Sequence, residues 1–186
     1  MNRLVIIGAG GHGKVVADNA LKNAYENICF VDDNAKAIAQ GSYEWENMLV
    51  DGLWSYSLEN VECGMQTSFA NLAADYKSKF GEELGEISAI GISGMMHGYL
   101  AFDKDGNLLA PFRTWRNTNT EKAADQLTEL FEFNMPMRWS VSHYYQAILN
   151  GEAHVGKVSF LTTLAGYVHY KLTGKKVLGV GDASGM

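Results

Sequence analysis

The sequence has little of what marks secreted, membrane-spanning or nucleic-acid-binding chains. Its 186 residues include two cysteines, Cys29 and Cys63, and two prolines. Two thiols make no disulfide framework, so a reducing cytoplasm is the expected compartment. The longest stretch without charge, Ile87 to Phe102, carries three glycines and His97. It falls short of the roughly 20 apolar residues that a spanning helix needs, so no membrane partner is expected. Arg3 leads through a few apolar residues straight into glycine, which is not the layout of a signal peptide. Fifteen Lys and Arg stand against 21 Asp and Glu, for a net charge of −6. The basic residues are scattered and form no stripe, which argues against a nucleic-acid partner. What is plentiful is apolar: hydrophobic residues make up 47 % and aromatics 11 %, against 19 % charged. That excludes disorder as the main state and provides for a core.

Leu4-Val-Ile-Ile7 ends at glycine and reads as a buried strand over 3–8. A helix over 12–24 and a strand over 28–32, ending at Asp32-Asp33, complete a parallel βαβ unit of Rossmann-like character. Residues 37–45 alternate as an antiparallel strand does. Val61, Met65, Phe69, Leu72, Tyr76 and Phe80 form one apolar stripe at helical spacing and predict a helix over 57–80, stopped by Gly81. Further strands are expected at 87–93, 99–103 and 108–114, the last two joined by Asp103-Lys-Asp-Gly106 as a hairpin. Thr118 to Glu121 fits a capping box for a helix over 119–132, with Ala124, Leu127 and Phe131 inward. Helices at 140–149 and 157–173, the second capped by Gly174, and a short strand near Lys176–Val180 complete the reading. The fold class is α/β: a mixed β-sheet flanked by helices. The first, second and fourth strands are expected to be parallel.

Gly8, Gly10 and Gly13 satisfy G-x-G-x-x-G between a strand and a helix, with Asp32 at the end of the next strand. Glycines let backbone approach an anion at a helix N-terminus, and the acid can accept from a ribose hydroxyl. The alternative is a glycine turn needed only for helix–strand packing. Lys14 after Gly13 suggests an NTPase loop, but Val15 stands where a Mg²⁺-binding Ser or Thr belongs.

A second constellation is Ile90-Gly-Ile-Ser-Gly-Met-Met-His-Gly98. It delivers His97 to the carboxyl end of a strand, where open α/β sheets bind ligands. There the imidazole can serve a sugar hydroxyl, or simply bond turn backbone. In Pro111-Phe-Arg-Thr-Trp-Arg-Asn117, Trp115 offers a flat face suited to a sugar ring, and Arg113, Arg116 and Asn117 can hydrogen-bond hydroxyls. The alternative is an ordinary strand end with solvated arginines.

Two resemblances follow from these residues. Residues 1–34, with Gly8-Ala-Gly-Gly-His-Gly13 and Phe30-Val-Asp-Asp33, resemble the nucleotide-sugar-binding unit of bacterial sugar O- and N-acetyltransferases of the left-handed β-helix class. The resemblance implies a nucleotide or nucleotide-sugar held by Gly8, Gly10, Gly11, His12, Gly13 and Asp32; that family's hexapeptide repeats do not follow. Residues 35–186 resemble the N-terminal domain of FGGY carbohydrate kinases of the xylulokinase and rhamnulokinase kind. The stretches that carry this are Gly41-Ser-Tyr-Glu-Trp-Glu46, Ile90 to Gly98, Leu100 to Leu108, Arg113-Thr-Trp-Arg-Asn117, Leu161 to Tyr167 with Lys171-Leu-Thr-Gly174, and Gly181-Asp-Ala-Ser-Gly185.

This second resemblance implies a ribonuclease H/actin-like fold and ATP- and Mg²⁺-dependent phosphorylation of a sugar hydroxyl. Met96, His97 and Gly98 would bind the sugar, with Trp115, Arg116 and Asn117 beside it. Asn117 stands where relatives often carry Asp. In that family the catalytic Asp and the adenine-binding domain correspond to positions after Met186, and the phosphate turn of the first strand pair is replaced here by the glycine turn. The expectation is therefore a mosaic of the two families. It keeps part of a sugar site, has no catalytic residue of its own, is inactive as a kinase, and is prone to self-association through exposed apolar surface. Asp182 is read as a turn or helix-cap residue.

Overall fold

The computed structural model describes residues 4–8, 27–31, 37–87 and 89–186, with backbone alone for 4–8 and 27–31. The chain divides into two compact units: Met1–Trp45 with Glu59–Met95, and Glu46–Leu58 with Met96–Met186. The expected helix over 12–24 lies outside the described residues, as do Gly10, Gly11, His12, Gly13 and Asp32.

In the first unit, β1 (Leu4–Gly8), β2 (Asn27–Val31), β3 (Ala37–Ser42) and β6 (Ala89–Ser93) form a sheet in the order β3-β2-β1-β6. β6 runs parallel to β1, with Leu4 opposite Ala89 and Gly8 opposite Ser93. β2, however, is antiparallel to β1, with Leu4 opposite Val31, and β3 is antiparallel to β2. This corrects the expected Rossmann-like start: the first two strands form no parallel βαβ unit. A short apolar run reads alike in either direction, because side-chain alternation does not encode polarity. α1 (Leu58–Phe80) lies in the connection from β3 to β6, which are the two edges of the sheet and run in the same direction.

The helix stop at Gly81 holds: its φ is +73° and its N–H reaches the Lys77 carbonyl at 2.9 Å. The apolar stripe holds only in part. The buried face of α1 is Val61, Gly64, Ser68, Leu72 and Tyr76, whereas Phe69 and Phe80 are exposed. Small residues take the inner face because β3 comes very close. A Cβ on Gly41 would sit 2.1 Å from the Ser68 carbonyl oxygen. Ala39, Leu72 and Tyr76 centre the local core, with Ile38, Leu84 and Ile87 packed on it.

The second unit holds a hairpin of β4 (Met48–Val50) and β5 (Leu53–Ser55), turned by Asp51 and Gly52, both at positive φ. That is the geometry of a type I′ turn. β7 (Leu100–Phe102) pairs antiparallel with β8 (Phe160–Thr162). Helices α2 (Glu121–Phe131) and α3 (Ser140–Leu149) lie close to the expected bounds; α4 (Leu164–Thr173) and a short α5 (Val180–Ala183) follow.

Several details differ from the sequence reading, among them the short strand expected near Lys176–Val180: residues 175–179 form none, and Val180 opens α5. Residues 108–114 form only the bridges Phe102–Leu108 and Tyr99–Arg113, because Pro111 removes a donor from that arm. The expected helix over 157–173 splits into a 3₁₀ turn at Val155–Lys157, β8 and α4, since Thr163 caps α4 by accepting from the Gly166 N–H at 3.0 Å. The capping box of α2 is not made: Thr120 is the N-cap, and its hydroxyl donates to the Met137 carbonyl at 2.6 Å. Phe131, expected to face inward, is exposed.

Candidate functional site

All of the geometry below lies in the second unit. Met96, His97 and Gly98 form the turn that leads into β7. Gly98 has φ +104°, and a Cβ there would meet the Arg113 carbonyl oxygen at 2.6 Å, so only glycine fits. Its N–H donates to the Arg138 carbonyl at 3.0 Å, and its carbonyl accepts from the Ser140 hydroxyl. Tyr99 and Arg113 exchange both backbone bonds, at 2.8 and 3.2 Å. A Cβ on Gly98 would lie 3.5 Å from Thr114 Cα, so the arm that leads to Trp115 passes beside the glycine.

The imidazole of His97 is half-buried, with Nδ1 2.9 Å from the carbonyl oxygen of Gly185. A bond to backbone is the plainer of the two roles the sequence allowed this residue. Gly185 is buried against the turn: a Cβ there would lie 2.5 Å from Met96 Cε and 3.0 Å from His97 Cε1. Asp182, in the same C-terminal segment, is half-buried. Burial pushes its carboxyl above the usual range, against the opposing influence of His97.

Asn117 is buried, and its side chain is taken up by backbone. Its Oδ1 accepts from the Trp54 N–H at 2.8 Å, and its Nδ2 donates to the carbonyls of Trp54 at 2.8 Å and Thr114 at 3.0 Å. Both amide hydrogens and one lone pair are thus used on the β4–β5 hairpin and its neighbour. The Thr114 N–H adds a 3.0 Å bond to the Trp54 carbonyl. The result is an exposed wall. The Arg116 guanidinium lies 6.0 Å from the Trp54 ring centroid and 5.8 Å from that of Trp115, and Trp115 is 49 % exposed. Arranged so, the flat indole faces and the cation can hold a ring with C–H on one side and hydroxyls at its edge.

Arg113 does not join this wall. It is buried and forms a two-pronged ion pair with Glu152, Nη1 to Oε1 at 3.1 Å and Nη2 to Oε2. Burial works to raise the Glu152 carboxyl, but Arg113 outweighs it and holds the group below the usual range. His154 Nε2 lies 2.8 Å from the Tyr99 hydroxyl, which burial pushes up to about 12. His143 is stacked against Tyr99, fully buried, with neither ring nitrogen hydrogen-bonded. Burial, then Arg113, pushes it down to about 4.

The structure therefore gathers Met96, His97 and Gly98 into one turn beside the segment of Trp115, Arg116 and Asn117. Gly8 ends β1, and the rest of the glycine turn lies outside the described residues. Sequence reasoning missed Trp54 as part of the wall, although Asp51-Gly52 between apolar runs was a readable hairpin signal. It also missed the contact of Gly185 with His97, for which no local pattern exists.

The model of the PglD N-terminal domain family matches residues 3–61. No curated protein matches the chain by sequence. Among solved structures, a xyloylose kinase from Brucella ovis is similar at 19 % identity and TM-score 0.74, over 86 % of this chain and 34 % of its own. A ligand-bound xylulose kinase from Lactobacillus acidophilus is similar at 17 % identity and TM-score 0.73, over 100 % and 36 %. A Plasmodium falciparum glycerol kinase with ADP is similar at 14 % identity and TM-score 0.65, over 94 % and 35 %. The chain spans about a third of the length of these structures. At such identities the likeness is one of fold: a mixed α/β lobe of the sugar-kinase kind, reaching this chain through its topology.

Proposed function

We propose that this chain carries the hydroxyl-recognising part of a carbohydrate or polyol phosphotransferase cleft. The turn of Met96, His97 and Gly98 would hold the hydroxyls. Trp115 and Arg116, with Trp54, would cover one face of the ligand, and Asn117 would hold that wall in place. One observation carries the reading: a half-buried histidine, fixed by backbone, at a glycine turn that passes beside Arg113 and Thr114, the arm that leads to exposed Trp115 and to Arg116, whose guanidinium also lies over Trp54 of β5. The similarity of fold to kinases of small polyhydroxylated compounds supports it. Among the described residues no group of three His, Cys, Asp or Glu gathers as a metal site. ATP and Mg²⁺ are proposed from the resemblance of residues 35–186 to FGGY carbohydrate kinases.

Calorimetric titration with xylulose, gluconate, glycerol and a panel of pentoses and deoxyhexoses tests this. We expect one class to bind, and His97→Ala to weaken it about tenfold, as loss of a polar contact does. Binding by none, or binding untouched by His97→Ala, would overturn the reading.

The match of residues 3–61 to the PglD N-terminal domain favours a second property, a nucleotide or nucleotide-sugar held at Gly8, Gly10, Gly11, His12, Gly13 and Asp32. UDP binding that vanishes in Gly10→Val would support it. Exposed Leu130, Phe131 and Phe133 support self-association, which sedimentation at rising concentration would reveal. Among the described residues no helix is long and apolar enough to cross a membrane; a cytoplasmic site of action remains part of the proposal.

A further inference from the structure

Arg113 and Arg116 stand on one arm and serve opposite ends. Arg113 is buried and directs its guanidinium at Glu152. Arg116 is exposed, and its guanidinium lies over two indoles, those of Trp54 and Trp115. Ring faces attract a cation, but they do not accept its N–H groups in the directed way an oxygen does. The exposed lysines Lys77, Lys79 and Lys104 each lie against a carboxylate. Among the described residues no carboxylate pairs with Arg116.

The cation is held in place from both sides. Asn117, the next residue, is buried and ties the arm to β5 through both backbone groups of Trp54. The Thr114 N–H adds its bond to the Trp54 carbonyl. Arm and hairpin are thus fixed to each other, and each supplies one of the two indoles. Leu49, also exposed, stands opposite Trp54 in the hairpin register and extends the apolar border. Apolar neighbours keep water from part of the guanidinium, which strengthens its attraction for an anion. Its planar fork of donors matches two oxygens of a carboxylate or phosphate, and such charged bonds are about twice as strong as those to a neutral hydroxyl.

We propose that Arg116 is a specificity-determining residue of the wall. The ligand is a polyhydroxylated compound that carries an anionic group, a carboxylate or a phosphate ester, and that group pairs with Arg116 between Trp54 and Trp115. The polyhydroxylated part rests on the hydroxyl-recognising reading above; the anionic part rests on the arginine and its two indoles.

Calorimetry with gluconate, glucitol 6-phosphate and glucitol tests this, because the three share a polyol chain and differ in one end group. At low salt at least one of the two anions should bind about tenfold more tightly than glucitol, as a charge-assisted pair does. Which of them binds tells carboxylate from phosphate. Raising the salt to about 0.5 M should narrow the gap, since the pair lies at the surface. Arg116→Gln should bring the anion down to the affinity of glucitol. Arg116→Lys, which keeps the charge and loses the fork, should retain part of the advantage. His97→Ala should weaken anion and glucitol by the same factor and leave their ratio unchanged. Glucitol bound as tightly as both anions, or an advantage that survives Arg116→Gln, would overturn the proposal. If His97→Ala still weakens binding in either case, the hydroxyl-recognising reading stands without it. An anion whose Arg116-dependent binding ignores His97→Ala removes that reading and leaves the anion site. Binding of none of the three overturns the proposal as well, and the neutral sugars of the wider panel then decide the reading alone.

Discussion

The two units are held together by different chemistry. In the first, β3 meets α1 through Gly41, Ala39, Leu72 and Tyr76, an apolar contact made tight by missing side chains. In the second, the residues behind the candidate site are largely polar: Arg113 on Glu152, Tyr99 on His154, Asn117 on Trp54, and a fully buried His143. The first kind of packing fails by collision. The second fails when one member loses its partner, because a buried polar group left alone costs more than its bond contributed. This contrast predicts which substitutions can be rescued.

Gly41→Val should have the largest effect. Its Cβ would land 2.1 Å from the Ser68 carbonyl oxygen and 2.4 Å from the Leu72 nitrogen, both backbone, so the helix must move. We expect a loss above about 4 kcal/mol, seen as collapse of the thermal transition. Arg113→Met comes next, at about 3 kcal/mol, because Glu152 keeps a charge in a mostly enclosed place without its partner. Adding Glu152→Leu should restore most of that loss in urea denaturation. No second change on α1 would restore Gly41→Val while the backbone collision remains. A double variant no more stable than Arg113→Met would break the contrast.

His143 sharpens it further. Its ring is neutral in the folded chain, pushed down to about 4 by burial and then by Arg113. Tyr99, Tyr144, His154 and Glu152 share this interior. The unfolded chain binds the proton near pH 6.5, so between there and about pH 4 it holds more protons than the folded one. Stability from this group is therefore complete above pH 6.5 and declines as pH falls, by about 3 kcal/mol in all. His143→Phe keeps the stack on Tyr99 and removes two unpaired nitrogens. Its urea midpoint should equal or exceed the native one at pH 7.5 and fall less by pH 4.5. An unchanged pH slope would show that other groups govern acid sensitivity.

The same contrast marks how far the sequence could be read. Periodicity located α1, α2 and α3 well, and the stops at Gly81 and Gly174 follow from positive φ, which glycine adopts most readily. Strand direction was not legible, because β1 and β2 are short apolar runs of no polarity. The inner face of α1 was misjudged at Phe69, since Gly64 and Ser68 carry no hydrophobic signal and their role depends on β3. At the candidate site, Met96 to Gly98 and Trp115 stood out by composition, while Trp54, Gly185 and Glu152 reach their partners over 63, 88 and 39 residues. No local rule spans such separations. Arg113 looked like a ligand arginine until its burial on Glu152 was seen.

Asn117→Asp is the smallest change and the closest test of polar pairing, since it alters one atom and keeps the shape. The native amide works in both directions at once, accepting from the Trp54 N–H and donating to the Trp54 and Thr114 carbonyls. A carboxylate can keep the first bond but turns its second oxygen toward two carbonyl oxygens, with no hydrogen between them. We expect a loss of about 2 kcal/mol at pH 7 and faster hydrogen exchange at the Thr114 amide. The Tyr99 and Arg113 amides, each of which donates to the other residue's carbonyl, should exchange at native rates. The deficit should shrink as pH falls, because a protonated carboxyl regains one donor. That requires the new Asp to hold its proton above the usual carboxylate range, so its stabilising bond is present below that raised pKa and lost as pH rises through it. A variant with native stability at pH 7 would mean that the hairpin holds Trp54 without the side chain of Asn117. The wall beside Trp115 would then owe its shape to the backbone bond from Thr114 alone.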